Sequence, residues 1–153
     1  MKLPVYLGLL REAERTLAGS FRQVAEGHGE EPDVHFLCLT LAKQCDAHYD
    51  ALTPIVERYG EAPPDDEPER LHAEGLAETR GGAVGLLRDL QDVYLLVSFV
   101  EMTWTVVQQA AQAIRDRELL DVTSRCCGET GIQAQWCRTR IKQAAPQALV
   151  ASS

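Results

Sequence analysis

The stretch that decides the fold runs from Ala83 to Arg115, AVGLLRDLQDVYLLVSFVEMTWTVVQQAAQAIR. Leu86, Leu90, Val93, Val97, Val100, Trp104, Val107, Ala111 and Ile114 recur along it at alternating spacings of four and three. That is the period of one inward face of an α-helix. Its centre, Val93 to Val107, is the longest apolar run in the chain. Glu101 interrupts that run, and it falls short of the roughly 20 residues a bilayer crossing needs.

Before this helix lies a polar stretch of prolines, acids and glycines, Gly60 to Gly82, which reads as a long connection. A short helix over Glu67 to Glu78 is compatible with it. Two further helices precede it. The first covers about Pro4 to Glu26, with Leu3, Leu7, Leu10, Leu17, Phe21 and Val24 on one stripe and Glu14 in its only gap. Gly27-His28-Gly29 breaks it and Pro32-Asp33 opens the second, which runs to about Tyr59. Val34, Leu37, Leu41, Leu52, Ile55 and Tyr59 form its stripe, with Gln44, Cys45 and His48 in the middle. Pro54 predicts a kink near Asp50, and Gly60 suits the cap.

After a tight turn near Asp116-Arg117, a fourth helix spans about Glu118 to Ala145 and ends at Pro146. Its stripe of Leu119, Val122, Cys126, Glu129, Gln133, Trp136 and Arg140 is more polar than the others. Nothing reads as a strand or a repeat. The expected fold is all-α: one four-helix bundle domain over 1–146, a long connection between helices 2 and 3, and a disordered tail over 147–153.

The chain has 153 residues, enough for one domain with a real core. Fifteen Lys and Arg against 23 Asp and Glu leave a net charge of −8. That excludes general nucleic-acid and anionic-membrane binding, both of which rely on positive surface. Five cysteines in a chain that needs no staples, with no leader-like N-terminus, point to free thiols and a cytoplasmic setting.

Function has to come from the polar residues inside the apolar stripes. A seam carboxylate needs a partner, a proton or a metal. Cys45 and His48, three apart, share one helix face and can point at one ion. Glu101 sits in the most apolar part of the chain, and Glu129 follows Cys126 by three. Counted at about 1.5 Å per residue from the nearest turns, Glu14, His48, Glu101 and Glu129 all fall near mid-bundle. His28, His35 and His72 read as solvated or at helix ends, and Trp104 and Trp136 as core or interface.

On these residues the chain resembles the ferritin-like superfamily, the group that includes bacterioferritins and rubrerythrins. The resemblance covers about Leu3 to Ile141. It implies two helix pairs joined by a crossover. Each pair supplies a glutamate and an E-x-x-H, which together hold two iron or manganese ions for oxygen or peroxide chemistry. Glu14 and Glu101 match the single glutamates. Cys45-Asp46-Ala47-His48 stands where the first E-x-x-H belongs, with Cys45 for the glutamate. Glu129-Thr130-Gly131-Ile132 stands where the second belongs, with Ile132 for the histidine.

Three readings follow. One is a mid-bundle metal site of Glu14, Cys45, His48, Glu101 and Glu129, holding iron, manganese or zinc. The second is a metal-free bundle used as an interaction or assembly module, with its buried Glu and His paired to each other or to Arg140. In both, copies or partners meet through helix faces. The third is thiol chemistry among Cys38, Cys45, Cys126, Cys127 and Cys137, which needs a depressed thiol pKa.

Overall fold

The computed structural model describes residues 1–60 and 74–151. Its four long helices are α1 (Leu3–Gly27), α2 (Pro32–Tyr59), α3 (Gly82–Ile114) and α4 (Arg117–Pro146). No strand occurs among the described residues. The fold is an all-α four-helix bundle with a long connection between α2 and α3.

α1 packs chiefly on α2, and α3 on α4; α1 also lies beside α3, and α2 beside α4. Contacts at the ends set the directions. His28, just past α1, meets Asp89 near the start of α3, and Arg140 late in α4 meets Asp33 at the start of α2. At the opposite end, Arg58 and Tyr59 of α2 meet Asp116 in the α3–α4 turn. α2 and α3 therefore run in the same direction, so their connection must travel the length of the bundle.

Three of the four apolar stripes are inward as expected. Leu7, Leu10, Leu17, Phe21 and Val24 of α1 are fully buried, as are Val97, Val100, Trp104 and Val107 of α3. Glu14 and His48 are buried with them. Ile114 is a correction: it lies in the last turn of α3, beyond the packed core, and is exposed.

α4 is rotated from the expected stripe. Thr123, Cys126, Thr130, Gln133, Ala134 and Cys137 are its inward residues, while Val122, Glu129, Trp136 and Arg140 are only half-buried. Small Thr, Ala and Cys side chains let α4 sit close to its neighbours, so the larger residues move to the flanks.

α2 continues through Pro54 to Tyr59 and ends at Gly60, as expected, with Pro54 exposed to solvent. Other expectations are corrected locally. Residues 147–151, expected to be disordered, continue α4 as a π-helical turn, Gln147–Ala151, that buries Ala148. Of the helix considered over Glu67 to Glu78, residues 67–73 lie outside the described residues, as does His72; Glu74 to Glu78 are not helical.

The α3–α4 turn forms without glycine or proline. Arg115 takes the left-handed conformation, φ 57°. Asp116 Oδ1 accepts from the Leu119 amide at 3.1 Å and caps α4. Its Oδ2 accepts from Arg58 at 2.7 Å and from the Tyr59 hydroxyl. Burial disfavours the charge, but these bonds outweigh it and hold the Asp116 carboxyl below its ordinary value.

Two glycines should respond oppositely to alanine. Gly85 leaves no room, because a Cβ there would lie 2.5 Å from the Arg80 carbonyl oxygen. Gly85→Ala should cost about 1–3 kcal/mol through overpacking. Gly128 is exposed in α4 with nothing within 4 Å of such a Cβ. Gly128→Ala should stabilise by up to about 1 kcal/mol. Urea unfolding of the two variants checks this, and the reverse order would contradict the packing at Arg80.

Candidate functional site

The mid-level of the bundle joins one polar side chain from each helix. Glu14 of α1 is fully buried. Its Oε1 accepts from the Trp104 indole N–H of α3 at 2.9 Å and lies 3.2 Å from Nδ1 of His48 on α2. The other His48 nitrogen, Nε2, is 3.5 Å from Glu129 Oε2 of α4, at the outer limit of a hydrogen bond. The Trp104 ring meets the imidazole edge-on, with centroids 6.0 Å apart. Glu129 is half-exposed, so the network runs from the surface to a buried carboxylate.

Both His48 nitrogens face a carboxylate, the arrangement that suits an imidazolium. Burial penalises that cation. Hydrogen bonding to Cys126 and Glu14, together with the Glu14 charge, outweighs the penalty and raises the His48 pKa to about 10. Glu14 Oε2 is buried without a hydrogen-bond partner.

Cys45 lies beside this pair. Burial, with the nearby Glu14 charge, pushes its thiol well above the ordinary range. Gln133 of α4 sits against its sulfur, with Nε2 at 3.6 Å, and donates to Gln44 Oε1 at 2.7 Å. Burial also raises Cys38, and it pushes Cys137 up to about 12. All five cysteines are free. None of these three raised thiols has the depressed pKa that thiol chemistry requires.

The expected site residues therefore divide. Glu14, Cys45, His48 and Glu129 come together. Glu101 does not join Glu14: its carboxylate lies at the α3–α4 seam, where Oε2 would be 2.9 Å from a Cβ on Gly131. Trp104, one turn later, takes the inward position opposite Glu14. Ile132, expected at a ligand position, points to solvent because α4 is rotated. Gln133 is the inward residue there. Arg140 pairs with Asp33 and Glu31 instead of a mid-bundle acid.

These positions do not fit a two-metal carboxylate centre. One carboxylate is turned to the seam and an indole stands in its place. Among the described residues, no group of three or more His, Cys, Asp or Glu side chains is arranged to hold a metal ion.

A second polar centre, unexpected from the sequence, closes one end of the bundle. His28 does stand at a helix end, but it is buried rather than solvated, with Nε2 2.7 Å from Asp89 Oδ2. Asp89 is fully buried as well. It accepts from the Arg80 backbone amide at 2.9 Å and from the Arg80 guanidinium at 3.0 Å. Arg80 also donates to Asp92 at 3.0 Å. This clasp ties the end of the long connection to α1 and α3. Asp89 falls three residues after Leu86 and four before Val93, a seam position like that of Glu14, and that spacing was the available signal.

The chain matches no family model, no curated protein and no solved structure. No described helix is long and apolar enough to cross a membrane.

Proposed function

We propose that this chain is a ferritin-like bundle that works without a metal, as a non-catalytic docking module that uses the outer face of α3. The observation that carries this reading is the solvent side of that helix. Leu95, Met102 and Val106 are exposed there by 67%, 62% and 43%. With half-buried Phe99 they repeat at spacings of four, three and four, so they share one face. α3 is thus apolar on two sides. A helix of that kind is ordinarily covered on both.

The mid-bundle network supports the metal-free part. Glu14 and Glu129 face the two His48 nitrogens. Hydrogen bonding to Cys126 and Glu14 outweighs burial and raises the His48 pKa to about 10, which favours an imidazolium where a metal would otherwise neutralise carboxylates. A second reading, a single iron, manganese or zinc ion at this level, has one observation in its favour: the unpartnered Glu14 Oε2.

Elemental analysis separates the two. Protein purified without an affinity metal, then loaded in turn with iron, manganese and zinc, should retain no stoichiometric metal. Its unfolding temperature should not respond to chelators. Stoichiometric metal that is lost in both Glu14→Gln and His48→Gln would overturn the metal-free reading.

A further inference from the structure

The outer stripe of α3 is uncharged as well as apolar. From Val93 to Ile114 the sequence holds one charged residue, Glu101. Its carboxylate lies at the α3–α4 seam, away from the stripe. The exposed faces of the other helices carry charges of both signs: Glu12 and Arg15 on α1, Lys43 and Asp50 on α2, Asp121 and Arg125 on α4. Two copies of a chain with net charge −8 can meet on an uncharged face without setting like charges against each other.

The stripe also has the same spacing in both directions. Leu95, Phe99, Met102 and Val106 are separated by four, three and four residues. A second α3 laid antiparallel, with a two-fold axis between Val100 and Glu101, sets Leu95 opposite Val106 and Phe99 opposite Met102. The flanks agree. Asp92 then faces Gln109, whose amide is a donor, and Arg88 faces Ala113. A parallel pair would set Arg88 against Arg88 and Asp92 against Asp92. Beside Leu95 and Phe99, an open cleft of about 570 Å³ separates α3 from Leu76 and Ala77 of the connection. Ala110 and Ala113 of the second copy, both small and uncharged, come over that end of the stripe.

We infer that this face receives a second copy of the chain, in an antiparallel two-fold α3–α3 pair. The inference rests on the docking reading above and adds the occupant. A strongly charged partner would find no opposite charge on the stripe itself. Leu95 to Val106 spans about 16 Å of helix, or about three turns. One helix face per copy is at the small end of specific interfaces, so the pair should dissociate in the micromolar range.

Sedimentation of the full chain over a range of concentrations reads the pairing. The dimer should tighten as salt screens the repulsion between two acidic chains. Leu95→Ser with Met102→Ser should weaken it at least about hundredfold, because four apolar side chains leave the interface. Both positions are exposed, so helical circular dichroism should not change. The register has its own test. In the antiparallel pair, Leu95→Lys with Val106→Glu sets each new lysine opposite a new glutamate. That variant should dimerise at least about tenfold more tightly than Leu95→Lys with Val106→Lys, which sets lysine opposite lysine. A labelled, net-neutral peptide with one leucine face, read by fluorescence anisotropy, tests docking on the stripe separately.

Equal dimerisation of the two lysine variants would overturn the antiparallel pair. Dimers indifferent to the serine changes, or loosened by salt, would overturn the inference, because their interface would lie elsewhere or be charged. A parent monomer that binds the peptide, with binding lost in the serine variant, would overturn the second copy and leave docking on α3 standing. A monomer that binds no peptide would overturn both inference and docking reading.

Discussion

Replacing Asp89 with alanine is expected to destabilise the bundle by about 3–5 kcal/mol, the range for breaking a buried ion pair. For a chain of this size, that lowers the unfolding temperature by about 6–20 °C. The magnitude follows from what is left behind. Asp89 is fully buried and is shared by His28, the Arg80 amide and the Arg80 guanidinium. Without it, buried His28 and the Arg80 amide lose an acceptor that water does not readily replace. Asp89→Asn keeps an oxygen for the Arg80 amide but removes the charge, so its loss should be smaller.

Hydrogen exchange gives a local readout of the same change. The Arg80 amide should exchange much faster in Asp89→Ala, while amides in the middle of α1 and α3 stay protected. An unchanged unfolding temperature with a still-protected Arg80 amide would show that the clasp does not hold the connection. Gly27 reinforces the expectation of a close fit there, since a Cβ on it would lie 2.2 Å from Thr79 Oγ1.

The contrast between α3 and α4 explains how much of this fold can be read in the sequence. In α1, α2 and α3 the core positions are mostly filled by large aliphatic or aromatic residues, so hydrophobic period and buried face coincide. In α4 the buried positions hold Thr123, Thr130, Ala134 and Cys137, which carry little hydrophobic signal. The larger Val122 and Trp136 lie at the flanks and draw the apparent stripe toward themselves. That rotation is why Ile132 is exposed and Gln133 is inward. It leaves Glu129 at the edge, still in reach of His48.

Glu14 and His48 are legible because each interrupts an apolar seam, and a buried charge has to be answered. What answers it is not legible. Trp104 reads simply as core, and nothing in local spacing distinguishes an indole that fills space from one that donates to a carboxylate. Asp89 obeys the same seam rule as Glu14, but its partners lie in a glycine-flanked turn and a polar connection, where no periodicity marks inward positions. The outer stripe of α3 hides for another reason. A helix apolar on both sides shows its stronger face in the pattern, and Leu95, Met102 and Val106 merge into the general hydrophobicity of the run.

The mid-bundle pair should behave as a coupled unit. Glu14→Ala alone is expected to cost about 3–5 kcal/mol, because it removes the partner of both His48 and Trp104. His48→Ala should be comparably severe, since it leaves a buried carboxylate with only the indole. Glu14→Leu combined with His48→Leu should cost far less than the sum of the single leucine changes, because no uncompensated charge remains. The Trp104 N–H then lacks its acceptor, a residual cost of about 1–3 kcal/mol. Strict additivity in this cycle would show that the two residues do not act as a pair.

The same pair sets a pH dependence whose sign follows from the His48 shift. The unfolded histidine titrates at about 6.5, and in the fold His48 is raised to about 10. The folded state therefore holds the proton more tightly. Its contribution is fully present below about pH 6.5 and is lost as pH rises through about 10. Stability should fall across that window in the parent protein, and His48→Gln should lack this part of the slope. Cys38, Cys45 and Cys137, raised by burial, add a further loss above about pH 8.5, where unfolded thiols ionise. That loss is common to both proteins, so the difference between their urea midpoints isolates His48. Parallel curves would mean that His48 is not held as an imidazolium between Glu14 and Glu129, and the argument that it takes the place of a metal would fall with it.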